Sequence, residues 1–264
     1  MKRIALTIIV QIAILANLSA QNVQKTEYKI SSEIAQKYNR IIKLIKGDKS
    51  HDLSKLIVYP LKMQNPLPDI QTPEQFVSNY TMLFDAAFKK KLQHYRDTII
   101  FEHNGAYGLV GGLFDGDLWM NDDGKLTGIN YDSKQQIQKR SQLTKHIQSQ
   151  TYLTVNSWKR NIIVGKSDKL LIRVDLMSNN SIRYVSWSKG KSIADKPDLI
   201  LLNGKEEAQG TMGGWTWTFK SGDWIYIVDD VEMCEDNKPQ NCGLFLRLSY
   251  KGIDKSSIRL KEIK

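Results

Sequence analysis

The sequence predicts an exported chain with an α+β N-terminal domain followed by an all-β C-terminal domain. The first would pack helices on a curved antiparallel sheet, and the second would form an antiparallel sandwich or small barrel. Three observations predict this. Apolar residues at helical spacing precede short strand-like runs in the N-terminal part, the C-terminal part has only strand-like runs, and a polar stretch at 131–150 separates them.

The first twenty residues predict a cleavable secretory signal peptide. Lys2 and Arg3 precede an apolar run at 4–15, and a small residue, Ala20, ends the segment. The alternative is an uncleaved anchor, but the run has about twelve residues and a bilayer span needs about twenty. No cysteine lies near the cleavage point to accept a lipid. We therefore expect a periplasmic or secreted protein without stable membrane insertion.

The mature chain is expected to be basic. The whole sequence has a formal net charge of +10, and removal of Lys2 and Arg3 with the signal peptide leaves +8. Basic charge in an exported protein favours an acidic partner, either an acidic protein or a cell-envelope glycan. Nucleic acid is not expected, because the lysines are spread along the chain and no recognition module's pattern is present.

Helices come first in the predicted α+β domain, at 21–132. Isoleucines and a tyrosine at helical spacing predict a helix over 27–46, and a shorter element follows at 52–59. Thr72 and Pro73 predict the start of another helix, with the threonine as its N-cap. That helix would bury one aromatic flank, made of side chains four residues apart: Phe76, Tyr80, Phe84 and Phe88.

Strand-like runs divided by glycines complete this domain, at 98–103, 107–114, 117–121 and 125–130. The pattern over 31–132 resembles that of small exported bacterial proteins with a cone-shaped NTF2-like fold. The residues that carry the resemblance are Leu56, Tyr59-Pro60-Leu61, Pro73-Glu74-Gln75-Phe76, Tyr80, Phe84, Gly105, Gly111, Leu118-Trp119, Gly124-Lys125-Leu126 and Ile129-Asn130. The resemblance implies a fold and no reaction. NTF2-like enzymes place an acid/base pair in the cone, and no residue here matches such a pair.

Residues 133–150 are rich in Gln, Lys and Ser and are expected to connect the two domains. The predicted β-domain at 151–264 contains about eight strand-like runs. Asn179-Asn180 and Asn203-Gly204 each lie between two such runs. We expect the runs on either side of each dipeptide to pair as a hairpin, and Asn203-Gly204 is the strongest such signal in the chain.

The stretch 210–228 predicts an aromatic hairpin. With Ser221-Gly222 at the turn, Trp217 lies opposite Tyr226, and the large aromatic side chains share one side. This side could form a sugar-binding platform, but it stays apolar on the next strand as well, so we favour a core position. Trp215 and Trp224 are the exceptions: they are the candidate ligand-binding residues at the rim.

Cys234 and Cys242 are predicted to form a disulfide that closes a polar loop. If they face each other, Val228 pairs with Leu248 on the following strand. Loop-closure entropy makes such a bond worth about 2–3 kcal/mol. A metal site is not expected at these cysteines, because neither has a second CxxC partner or a nearby histidine.

Catalytic signatures are absent from the sequence, and we expect no metal and no cofactor. The histidines show no zinc-ligand spacing, and the acidic loops at 114–124 fail the EF-hand pattern. His94, Asp97 and His103 lie at the predicted transition from helices to sheet. They could line a cone opening and carry acid/base chemistry.

A non-catalytic binding protein of the cell envelope or exterior is therefore the favoured function. The first version binds a protein partner, as an inhibitor or immunity-type protein would, with basic loops on an acidic target. The second binds a glycan or peptidoglycan through Trp215, Trp224 and lysines. The third alternative is a small-molecule enzyme, with His94 and His103 in the N-terminal cone.

Overall fold

A computed structural model of the chain describes residues 30–96, 100–103, 105–110, 116–209, 214–232, 234 and 238–264. The predicted signal peptide lies outside these residues. The described chain contains helices and two antiparallel sheets, as the fold class predicted. One apolar core is made of residues from 34–126, and two further core clusters are made of residues from 155–260.

The N-terminal helices are α1 (Ser32–Lys46), α2 (Ser50–Ser54), α3 (Pro73–Leu83) and α4 (Ala86–Leu92). The predicted cap of α3 is confirmed, because the Thr72 hydroxyl accepts a hydrogen bond from the N–H of Gln75 at 3.3 Å. The single helix predicted after Pro73 is wrong, since the chain breaks at Phe84. Asp85 then caps α4 by accepting from the N–H of Phe88 at 2.9 Å. The predicted aromatic flank is nevertheless buried across the break.

The N-terminal sheet comprises β1 (Ile100–His103), β2 (Ala106–Val110), β3 (Gly116–Asn121) and β4 (Leu126–Ile129), paired in chain order. Its strands follow the predicted runs wherever residues are described. The buried Tyr38 of α1 ties helix to sheet, because its hydroxyl donates to the carbonyl of Leu118 at 2.8 Å. Tyr80 of α3 likewise donates to the carbonyl of Ile45 at 2.9 Å.

The predicted polar connection is a long helix, α5 (Lys134–Ser149). Ser133 caps it by accepting from the N–H of Gln136 at 3.1 Å. Near its other end, the side chain of Gln148 donates to the carbonyl of Trp158 at 3.1 Å. Gln, Lys and Arg are good helix formers, but apolar positions are too sparse here for an amphipathic stripe, so the periodic signal was missing.

The described C-terminal strands form one nine-stranded antiparallel sheet. They are β5 (Arg160–Lys166), β6 (Leu170–Leu176), β7 (Ile182–Ser188), β8 (Leu199–Leu201), β9 (Lys205–Ala208), β10 (Gly214–Ser221), β11 (Trp224–Val231), β12 (Gly243–Tyr250) and β13 (Ile253–Glu262). Their order is β8-β7-β6-β5-β13-β12-β11-β10-β9. The sheet curls until its halves face each other, and the rings of Tyr184 and Phe219 meet with centroids 5.5 Å apart.

The hairpin predicted at Asn203-Gly204 is wrong. β8 pairs with β7 and β9 pairs with β10, so the two strands lie at opposite edges of the sheet. The three linking residues span at most about 14 Å, so the edges must lie close together. Gly204 passes directly over Phe219, where any Cβ would clash with the ring. The other predicted hairpin is confirmed, with β6 and β7 joined through Asn180 at φ 63°.

The aromatic hairpin has the predicted faces and a different register. Its turn is Gly222-Asp223, and Trp217 lies opposite Val228 instead of Tyr226. Val228 pairs with Leu246, again two residues from the predicted partner. Because side chains alternate with a period of two, a two-residue shift leaves each on its predicted side. The predicted disulfide is confirmed: Cys234 and Cys242 are bonded, with Cα atoms 4.5 Å apart.

Candidate functional site

The tryptophans of the aromatic hairpin divide into core and rim. Trp217 is 2 % exposed, whereas Trp215 and Trp224 are 44 % and 37 % exposed. The last two lie at opposite ends of the hairpin, since Trp215 pairs with Asp230 and Trp224 begins β11 beside the turn. They therefore share no platform. Trp224 instead contacts Tyr250, with ring centroids 5.0 Å apart.

The predicted histidine site is described only in part. His94 follows the C-terminus of α4 and is exposed. His103 is the last residue of β1 and its backbone pairs with Ala106. The side chain of His103 and all of Asp97 lie outside the described residues, so this acid/base site stays a prediction.

A cluster of three buried charges, absent from the sequence-based predictions, lies on the outer face of the curled sheet. Arg173 and Asp175 on β6 and Arg183 on β7 are 2 %, 0 % and 4 % exposed. The Asp175 carboxylate accepts from Arg173 Nε at 2.9 Å and from Arg183 Nη2 at 2.8 Å. Asn161 Nδ2 also donates to it, at 3.0 Å. We call these three charged residues the Arg–Asp–Arg cluster.

The segment after α5 covers this cluster and gives it further acceptors. Arg173 Nη2 donates to the carbonyl of Val155 at 2.6 Å, and Arg183 Nη2 donates to the carbonyl of Ser157 at 3.0 Å. The guanidinium carbon of Arg173 lies 4.1 Å from the centroid of the Trp158 ring, which is a cation–π contact. Residues 155–158 thus cover the Arg–Asp–Arg cluster on β6 and β7.

Electrostatically, the Arg–Asp–Arg cluster carries one uncompensated positive charge. Burial lowers the pKa of Arg173, Asp175 opposes that shift, and the neighbouring Arg183 adds to it. Two guanidinium groups share one carboxylate in a desolvated place. An additional anion beside Arg173 would complete the charge balance.

A cavity of about 170 Å³ lies between α5, the loop around Asn65 and the outer face of the sheet. Apolar side chains line much of it: Ile147, Val164, Leu171, Ile193 and Ile263. The polar side chains in its wall are Asn65, Thr144, Trp158, Asn161, Arg173 and Lys264. Lys264 is held in place, because its ammonium donates to the carbonyl of Met63 at 2.5 Å and lies 3.3 Å from Asp69.

Three buried polar atoms in this wall have no hydrogen-bond partner among the described residues: Asn65 Oδ1, Trp158 Nε1 and Arg173 Nη1. Their residues are at most 8 % exposed. An unpaired buried donor or acceptor costs about 1–3 kcal/mol, more for a charged group. Two donors and one acceptor around one cavity are thus left for partners other than the described protein groups, such as ordered water or a ligand.

A second hollow of about 410 Å³ adjoins the cavity and shares Asn65, Thr144, Trp158 and Asn161 with it. The cations in its wall are Arg140, Lys145, Lys159 and Arg160, and no acidic residue is among its described lining. Arg140 is paired with Asp132 at 2.7 Å. We call this hollow the basic groove.

The sequence held one signal for this site. Arg173, Asp175 and Arg183 occupy alternate positions in strands that otherwise read as buried, and charges in such strands need partners. The cavity itself had no local signal, because its wall combines residues near 65, 147, 164 and 263.

Comparison of the chain with protein-family models, curated proteins and solved structures finds no match. The resemblance of 31–132 to NTF2-like proteins therefore stays a prediction. Within the described ranges, no group of three or more His, Cys, Asp or Glu side chains could hold a metal ion. Among the described helices, none has the length and apolar composition needed to cross a bilayer.

Proposed function

We propose that the chain is an exported, non-catalytic binding protein that takes a small molecule into the cavity beside Trp158. The observation that carries this proposal is the set of three unpaired buried polar atoms around one largely apolar cavity. Pockets for small molecules combine such an apolar lining with a few placed polar groups.

The chemistry of the wall favours binding over catalysis. Among the described side chains of the lining, none is a carboxylate, an imidazole or a thiol that could act as acid, base or nucleophile. The carboxylate of Asp175, which lies beside Arg173, accepts from two guanidinium groups and an amide. An enzyme based on His94 and His103 in the N-terminal part remains a separate prediction.

The proposal includes the finer division of the chain, with an α+β domain of NTF2-like fold at 21–132 and a β-domain at 151–264. Helix α5 would join the two and help to enclose the ligand. The separate apolar cores support this division. The disulfide between Cys234 and Cys242 supports a location outside the cytoplasm, which the predicted signal peptide would provide.

A glycan platform is the second candidate. Trp224 and Tyr250 lie 5.0 Å apart at one end of the curled sheet, and Lys251 lies 5.5 Å from the centroid of the Tyr250 ring. Flat aromatic rings beside a cation suit an anionic sugar. Trp224→Ala would abolish such binding without unfolding the protein. The acidic protein partner stays a prediction from charge alone.

The cavity is tested by blocking it. We would titrate the mature protein with toluene, benzamide and benzoate and follow backbone and indole N–H resonances by NMR. Thr144→Trp places a large ring in the cavity from α5 and should abolish saturable shifts around Trp158. Gln142→Trp, on an exposed position of the same helix, is the matched control and should bind normally. The proposal fails if no probe binds, or if Thr144→Trp folds and binds unchanged.

A further inference from the structure

We infer that the ligand of this cavity is a small carboxylate with an apolar body. The carboxylate would lie against Arg173 Nη1 and Trp158 Nε1, and the body would fill the space lined by aliphatic side chains. This inference rests on the proposed function and adds the chemical class of the ligand.

The two unpaired donors indicate the chemistry of the polar group of the ligand, which we call its head group. Arg173 Nη1 and Trp158 Nε1 belong to neighbouring side chains, since the guanidinium carbon lies over the indole ring, 4.1 Å from its centroid. Both are donors only, so their partner must be an acceptor. A carboxylate offers two oxygens in one plane and one negative charge, which matches two donors and the net positive charge of the Arg–Asp–Arg cluster.

The body of the ligand follows from the volume and the lining. The cavity of about 170 Å³ is close in size to a cavity of about 150 Å³ that binds benzene in another protein. A six-carbon ring or short chain therefore fits. Asn65 Oδ1 is the third unpaired atom and can only accept, so the natural ligand would also carry an O–H or N–H group.

The ligand would reach the cavity through the adjoining basic groove. Lys145, Lys159 and Arg160 in its wall lie beside residues that it shares with the cavity. A single-sign field of this kind attracts anions and speeds their association, and salt screens it. A neutral ligand would gain nothing from these charges.

Entry of the head group requires a small movement of the wall. Less than 1 Å² of each of the three unpaired atoms is exposed, so other atoms of the wall cover them in this structure. The Trp158 ring and the Asn65 side chain would have to turn toward the ligand. The Trp158 indole N–H should therefore report head-group binding by a large downfield shift of its proton resonance.

Benzoate and benzamide form the matched test, since they share a body and differ in charge. We expect benzoate to bind at least about tenfold more tightly than benzamide, the range of a hydrogen bond to a charged group. Trp158→Phe keeps a ring over Arg173 and removes the donor. It should weaken benzoate binding about tenfold and benzamide binding less, because the amide oxygen accepts the same hydrogen bond without a charge. Lys145→Glu should slow benzoate association and reduce its dependence on salt.

The outcomes separate the two proposals. Equal binding of benzoate and benzamide overturns the carboxylate inference and leaves the cavity as a ligand site. Tighter binding of phenyl phosphate than of benzoate also overturns it, in favour of a phosphate. Binding of none of the probes removes the proposed function as well. If Trp158→Phe does not fold, the benzoate-to-benzamide ratio and the Trp158 indole shift in the unaltered protein decide the question.

Discussion

Replacing Asp175 by asparagine tests the reasoning about the Arg–Asp–Arg cluster most directly. The substitution keeps the shape of the side chain and removes the only negative charge of the cluster. Arg173 and Arg183 would then face each other unpaired in a place that is at most 4 % exposed. Arginine does not lose its proton in proteins, so the charges cannot be relieved by titration.

The magnitude follows from burial. Asp175 accepts at 2.9 Å from Arg173 and at 2.8 Å from Arg183, and it is fully buried. Breaking a buried ion pair by removing one partner costs about 3–5 kcal/mol, because a buried charge is left uncompensated. We therefore expect Asp175→Asn to lower the free energy of unfolding by about that amount.

Urea unfolding, followed by tryptophan fluorescence and circular dichroism, measures this loss as a shift of the midpoint. The matched control is Asp223→Asn, whose carboxylate lies 3.7 Å from Lys251 with both side chains more than half exposed. Such surface pairs are worth about 0–1 kcal/mol. A loss for Asp175→Asn no larger than that of the control would refute the assignment of a desolvated cluster.

Three further predictions concern the curled sheet. Trp217→Ala should cost about 3–5 kcal/mol in urea unfolding, because the ring is buried, and the exposed Trp224→Ala should cost far less. Gly204→Ala should cost about 1–3 kcal/mol, because the added methyl meets Phe219; an unchanged midpoint would contradict the close crossing. Burial and the nearby carboxylates of Glu262 and Glu232 raise the pKa of Asp230 from 3.8 to about 6. The ammonium groups of Lys62 and Lys264 oppose this shift in part. The folded state then holds more protons than the unfolded one between those values, so stability relative to Asp230→Asn should fall by about 2–3 kcal/mol as pH rises from about 4 to about 6. A constant difference between the two proteins from pH 4 to 7 would contradict it.

Features that depend on local periodicity, such as the faces of a strand, could be predicted from the sequence. Strand pairing and register could not, because distant segments compete for the same partners. The faces of the aromatic hairpin follow from alternation, so Trp217 and Val228 were placed on one side correctly. The register of the hairpin was predicted incorrectly, because Ser221, Gly222 and Asp223 allow a turn at either of two neighbouring positions. Pairing with the rest of the sheet decides between these two turns.

At Asn203-Gly204, likewise, the local turn was predicted correctly and the pairing of the strands was not. The backbone there is turn-like, with Asn203 at φ 59°, as the dipeptide predicts. The strands on either side nevertheless pair with β7 and β10, which places them at the two edges of the nine-stranded sheet. The cavity could not be predicted without the tertiary fold, because segments far apart in sequence form its wall. The charged residues of β6 and β7, in contrast, can be read directly from the sequence of those strands.

The junction between β5 and β13 has a kinetic consequence. Two residue pairs join these strands, Lys166 with Lys261 and Gly165 with Glu262, fewer than join any other two neighbouring strands of the sheet. Contacts between residues so far apart in sequence carry a high loop-closure cost and form late in folding. Val164 and Ile263 flank this junction and line the cavity, joined by a backbone hydrogen bond of 2.9 Å. We therefore expect amide hydrogen exchange in this part of the cavity wall to be faster than within either half of the sheet.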